Sequence, residues 1–109
     1  MGTSQLAIKR GSKSGAKPHK TAKQMERHLK GIANHRRIEV LLLVSKEPGI
    51  NVDGLSTRLN CNYNTLSIHI TKLVTSGLLD KKHRGRSVGH SLTPYGKVFV
   101  AFLNTLLRL

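Results

Sequence analysis

The sequence predicts a mainly α-helical domain that carries one small β-hairpin, an α+β arrangement. Three observations predict it. Most apolar residues recur at helical spacing behind residues that cap helices. One stretch in the last third alternates with period two around a Gly-bearing turn. The composition is 38% hydrophobic but only 4% aromatic over 109 residues, so a single modest aliphatic core is expected. A core of that size stabilises weakly, which favours an oligomer.

Residues 1–20 contain Gly, Ser, Lys and Pro with few large apolar groups, and no acid appears before Glu26. Such composition does not repay its ordering entropy, so a flexible basic N-terminal tail is expected, either an arm that grips DNA or a solubilising extension. The folded domain is expected over residues 21–109. Thr21 caps a first helix running to Ile32, with Met25, Leu29 and Ile32 on its inner side.

Asn34 caps a second, stronger helix, "IEVLLLVSK". Ile38, Leu41 and Leu42 form its inner face, and Val40, Leu43 and Val44 widen it. A helix apolar nearly all round is buried on several sides, so this is the expected central beam. Pro48-Gly49 ends it. Asn51 caps a short helix to Leu59, in which Leu55 and Leu59 point inward and Asp53 meets the helix dipole.

After a turn at "NCN", Asn62 caps the next helix and Gly77 closes it. Leu66, Ile70, Leu73 and Val74 share its inner face; Tyr63, Asn64, Ser67, Ile68 and Thr71 lie on the other side. None of the latter five is charged, although a surface helix usually wears Lys and Glu. Such a face suits a neutral, patterned partner such as the edges of bases. Two short helices joined tightly, the second with this outer face, match a helix-turn-helix.

The alternating stretch "LLDKKHRGRSVGHSL" follows, a hairpin that carries Lys81, Lys82, Arg84 and Arg86 against Asp80. Thr93-Pro94 opens the last helix, whose Val98, Phe99, Phe102, Leu103, Leu106 and Leu107 exceed what one helix of a small domain can bury. We expect these residues to form a dimer interface; the other reading docks them on the chain's own core.

Lys and Arg number 19 against 5 acids, a net charge of +14. That field attracts polyanions, nucleic acid first among them. The single cysteine, Cys61, can form no internal disulfide and offers no thiolate pair for zinc. No apolar run reaches the roughly 18 residues of a membrane span, and no secretory leader is recognisable. We therefore expect a cytoplasmic protein with no membrane partner.

The order helix, helix, helix-turn-helix, wing, helix resembles the winged helix-turn-helix repressors of the arsenical-resistance-repressor (ArsR) family. Near "LTPYG" it is also similar to the multiple-antibiotic-resistance (MarR) family. "IANHRRIEVLLLV" looks like the family's entry helix, and "LSTRLNCNYNTLSIHITKLVTSGLLDKKHRGRSVGHSLTP" looks like its turn, recognition helix and wing. The resemblance implies dimerisation through terminal helices, with Tyr95, Val98, Phe99, Phe102, Leu103 and Leu106 at the interface. It implies that Tyr63, Asn64, Ser67, Ile68 and Thr71 of the recognition helix face the major groove, with Thr65 also binding DNA and Lys72 meeting phosphate. Arg36, Arg37, Lys81, Lys82, Arg84 and Arg86 would then meet the backbone and flanking groove.

Metal-sensing members carry a Cys-x-Cys pair before the turn, or Asp and His ligands on the dimer helix. Here "INVDGLSTRL" has no thiol and "YGKVFVAFLNTLLRL" has neither ligand type. No metal and no cofactor is therefore expected. His69 and His90 stand alone in sequence and are expected to be structural, and Cys61 to be a small core residue.

The function expected is a homodimeric, sequence-specific regulator of transcription on double-stranded DNA, a repressor reading an inverted repeat. An architectural protein that coats DNA is the alternative, favoured by the charge and the tail. A winged-helix module for an acidic protein partner is a third reading. An enzyme is not expected, because the 5 acids and the lone cysteine assemble no catalytic constellation. The sequence names no effector.

Overall fold

The computed structural model describes residues 19–109. The expected basic tail lies outside the described residues except for His19 and Lys20.

Five α-helices and a two-stranded sheet follow one another. They are α1 (Ala22–Ile32), α2 (His35–Lys46), α3 (Val52–Leu59), α4 (Tyr63–Thr75), β1 (Leu79–Arg84), β2 (Ser87–Leu92) and α5 (Pro94–Leu107). Each helix starts where a short polar side chain accepts from its own first turn, which satisfies backbone donors that have no intrahelical partner. Thr21 and Gln24 cap α1 reciprocally. Asn34, Asn51, Asn62 and Thr93 cap α2, α3, α4 and α5. The turn between α3 and α4 is made by Asn60 in the left-handed conformation, φ 51°. Asn is among the side chains that adopt it most readily.

Val40 and Leu41 of α2 are fully buried, 0% exposed. Leu55 from α3, Leu66, Ile70 and Leu73 from α4, Leu78 and Leu79 at the start of the hairpin, and Val100 and Leu103 from α5 complete one aliphatic core with them. The expected central beam is present, with its buried face shifted. Val40, Leu41 and Val44 are buried, while Ile38, Leu42 and Leu43 are half-buried.

The hairpin pairs Leu79 with Leu92, Lys81 with His90 and Arg84 with Ser87, in antiparallel register. Gly85, φ 61°, opens its turn. A further bridge joins Ile50 to His90. Gly49 N–H donates to His90 O at 2.8 Å and His90 N–H to Ile50 O at 3.0 Å. The His90 ring adds a third bond, Nδ1–H to Ile50 O at 3.0 Å, so this histidine fastens the hairpin to the loop after α2. Gly89 permits the approach, because a Cβ there would lie 2.8 Å from Gly49 O.

Leu29 departs from expectation. It is exposed, and α1 instead buries His28, Gly31 and Ile32. The cause is Gly31: a Cβ there would sit 2.0 Å from Ser76 Oγ, so α1 meets the end of α4 along its glycine. This close approach turns Leu29 outward. At the same junction His28 Nδ1–H donates to Ser76 O, and its ring packs against Tyr95 and Phe99 of α5 at centroid distances of 4.8 and 6.2 Å.

Gly31→Ala is expected to force α1 off α4 and to cost about 1–3 kcal/mol, seen as a lower urea midpoint. A midpoint equal to the wild type would show that the junction tolerates a methyl group.

Candidate nucleic-acid interface

The capped start of α4 and its tertiary packing decide which side chains it presents. With Leu66, Ile70 and Leu73 buried, the outward face carries Asn64, Ile68, Thr71, Lys72 and Thr75, all exposed. Tyr63 and Ser67 lie one step round the helix, toward the hairpin. Tyr63 is 49% and Ile68 58% exposed. Thr65 is also exposed, on the flank away from the hairpin, and its N–H donates to Asn62 Oδ1. Thr75 was absent from the residues expected at the groove. It lies beyond the most distinctive part of the helix pattern, but the helical spacing 64, 68, 71, 75 would have found it.

Between α4 and the hairpin runs a cleft of about 440 Å³. Tyr63, Ser67 and Thr71 form one wall, and Lys81, Arg86 and Val88 the other. Asn51 closes one end, with its Nδ2 at 3.5 Å from Ser87 Oγ. The register explains the split of hairpin cations, since cross-strand partners share a face. Lys81 shares a face with His90, toward the cleft; Lys82 pairs with Gly89 on the other face. Arg84 and Arg86 flank the exposed tip.

The charges around this face are uneven. Three of the five acids are in ion pairs: Glu26 with Lys30, Glu39 with Arg36, and Glu47 with Arg58. Among the described residues no ion pair involves Lys72, Lys81, Lys82, Arg84 or Arg86. Arg36 is engaged within the chain, its Nη1 donating to Glu39 Oε1 at 3.0 Å and to Leu59 O at 3.2 Å. It ties α2 to the end of α3. Arg37 has its Nε buried and unpartnered.

His69 lies on the flank of α4 that faces α2. Burial, and then Arg37, His35, Arg36 and Lys72, hold its pKa below the ordinary value of 6.5. Cys61 packs half-buried against the core. Among the described residues, no three His, Cys, Asp or Glu side chains gather as a metal site would require.

On α5, Tyr95, Val98, Phe102 and Leu106 form one exposed stripe, with Val98 at 65% and Phe102 at 55% exposure. Phe99 is half-buried beside His28. Leu103 is not in the stripe: it lies in the chain's own core, on the face with Gly96 and Val100. Leu29 and Met25 of α1 add a second apolar surface.

A tight helix pair, an outward-facing second helix and a hairpin bound to the loop ahead of it together define the architecture. The fold is a winged helix-turn-helix. HlyU from Vibrio cholerae N16961 superimposes with a TM-score of 0.73 at 26% identity, over 81% of this chain and 96% of that one. A transcriptional regulator HlyU from Vibrio vulnificus CMCP6 gives 0.68 at 24% identity, over 78% and 88%. The homodimeric winged helix-turn-helix DNA-binding domain Mb0332 from Mycobacterium bovis, a possible ArsR-family transcriptional regulator, gives 0.72 at 22%, over 79% and 80%. No protein-family model and no curated protein matches the sequence. The expected resemblance to winged helix-turn-helix regulators therefore holds at the level of the fold. Among the described residues no helix is long and apolar enough to cross a membrane.

His69 makes a pH prediction. Its folded pKa is depressed, so between that value and 6.5 the unfolded chain binds more protons than the folded one. Stability is therefore full above pH 6.5 and is lost as pH falls through this window. His69→Gln is expected to flatten that part of the urea-midpoint profile, and an unchanged slope would assign it to another group.

Proposed function

We propose that this winged helix-turn-helix is a sequence-specific DNA-binding regulator of transcription, acting in the cytoplasm as a homodimeric repressor on an inverted repeat. One observation carries the reading. The exposed face of α4 is uncharged except for Lys72, yet cations of α2 and the wing flank it. Phosphate contacts position a protein, whereas hydrogen bonds and apolar contacts to base edges specify sequence. A face of Tyr63, Asn64, Ser67, Ile68 and Thr71 is suited to the second task. Asn64 can bond adenine at two edges, and Ile68 can meet a thymine methyl.

Lys72, Lys81, Lys82, Arg37 and the basic tail would set affinity and its salt dependence. Arg84 and Arg86 would enter the minor groove, where narrow A·T tracts attract guanidinium. The stripe Tyr95, Val98, Phe102 and Leu106 would pair with its symmetry mate. A two-fold dimer would then set two recognition helices about 34 Å apart, in successive major grooves. The second reading, a coating protein, draws on the net charge of +14.

Selection from a random duplex pool at about 150 mM salt tests the proposal, because non-specific phosphate binding is weak there. An enriched inverted repeat supports it; retention of duplex without a motif would leave the coating protein.

Two further outcomes are expected. Asn64→Ala with Ser67→Ala should cost about 1–3 kcal/mol on the selected site and little on random duplex, whereas Lys82→Gln should weaken both, as measured by fluorescence anisotropy. Phe102→Glu should yield a monomer in sedimentation velocity and lower affinity for the full repeat more than for a half-site.

A further inference from the structure

A second hollow lies on the other flank of α4, away from the wing. It measures about 310 Å³. Arg27 and Lys30 of α1, Arg37 of α2, and Lys72 with Thr75 of α4 line it. The glycine contact creates it: with Gly31 pressed on Ser76, the basic side of α1 is brought beside the C-terminal half of α4. Cationic residues of three helices thus border one space.

These cations are poorly neutralised. Lys30 alone among them is in an ion pair, with Glu26 at 3.1 Å, and that pair is widely exposed at 78% and 53%. Such pairs are worth little. The Arg37 Nε is buried without a hydrogen-bond partner, and so is His69 Nδ1. A buried guanidinium N–H left unpaired is costly, and native structures rarely retain one without a reason.

We propose that this hollow is a binding site for a phosphate-class oxyanion, with Arg37 as its inner donor, Arg27, Lys30 and Lys72 around the rim, and the Thr75 hydroxyl on one side. A guanidinium fork matches phosphate oxygens in a bidentate manner, and an added ammonium balances the second charge. Burial is the first cause of the depressed His69 pKa, and the cations around that ring add to it. The groups that face His69 are His35, Arg36 and Arg37 from α2 and Lys72 from its own helix, all of them cationic or able to become so. An anion in the hollow would relieve that field and raise the His69 pKa.

The oxyanion has two sources: a backbone phosphate of bound DNA, or a free phosphorylated molecule. The first rests on the DNA-binding reading above; the second does not. Two arms separate them, both read by the His69 ring signals in NMR, in the full chain and in Arg27→Gln/Lys30→Gln. Both substituted residues are exposed, so the fold should survive; Arg37→Gln is the companion variant.

In the first arm, inorganic phosphate replaces chloride at constant ionic strength. Saturable shifts of Gly31 and Thr75 with a rise in the His69 pKa, lost in the variants, mean a free anion. In the second arm, random-sequence duplex is added. A rise in the His69 pKa only with duplex, and a salt slope smaller by about one in the variants, mean a backbone phosphate. The slope alone would follow from any lost cation; the His69 response ties it to the hollow. If neither phosphate nor bound duplex moves His69, the site does not exist, whatever becomes of DNA binding. If duplex is not bound at all, the regulator reading fails, and the phosphate arm alone decides the hollow.

Discussion

The end of α4 is gripped from three sides, and the functional surfaces take their places from that grip. Gly31 lets α1 come within the space a methyl group would need. His28 donates to the Ser76 carbonyl from below Tyr95 and Phe99. Thr93 accepts from Gly96 N–H to start α5 while its own hydroxyl donates to Gly77 O at 2.7 Å. Gly96 is as constrained as Gly31, since a Cβ there would lie 2.2 Å from Leu78 O. Helices α1, α4 and α5 therefore meet at one tightly packed junction.

The wing has a second anchor. Its only buried residues are Leu79, Gly89 and His90, so it contributes little apolar burial of its own. It stays beside α4 because His90 supplies ring and backbone bonds to the loop before α3. That loop also contains the Asn51 cap, whose side-chain Oδ1 accepts from Gly54 N–H at 2.8 Å. Cap, wing and cleft thus share one anchor. A polar anchor leaves the rest of the hairpin free to carry cations, which a hydrophobic one would have displaced.

The two flanks of α4 have different chemistry for a simple geometric reason. Toward the wing the helix shows Tyr63, Ser67 and Thr71, side chains that can donate, accept and make apolar contact. Toward α1 and α2 it shows His69 and Lys72 among arginines. The helix thus offers mainly neutral hydrogen-bonding groups on one side and charge on the other, with Thr71 and Thr75 between them.

What the sequence determined by itself is what depends on neighbours in the chain. The caps at Thr21, Asn34, Asn51, Asn62 and Thr93 are bonds to N–H groups within three residues, so residue type at one position announces them. The hairpin was legible from alternation around Gly85, and the outer face of α4 from periodicity. Tertiary structure alone decided which way α1 faces, because the contact that turns Leu29 outward is made by Gly31 with a residue 45 positions away. It alone placed Leu103 in the core and left Phe102 outside, a difference of one helical step on an almost wholly apolar helix. It alone bound Arg36 to Leu59 O, left the Arg37 Nε unpaired and gathered Arg27 and Lys30 beside Lys72. Local bonds are written in consecutive residues; burial, pairing of charges and the shape of a hollow depend on residues that only folding brings together.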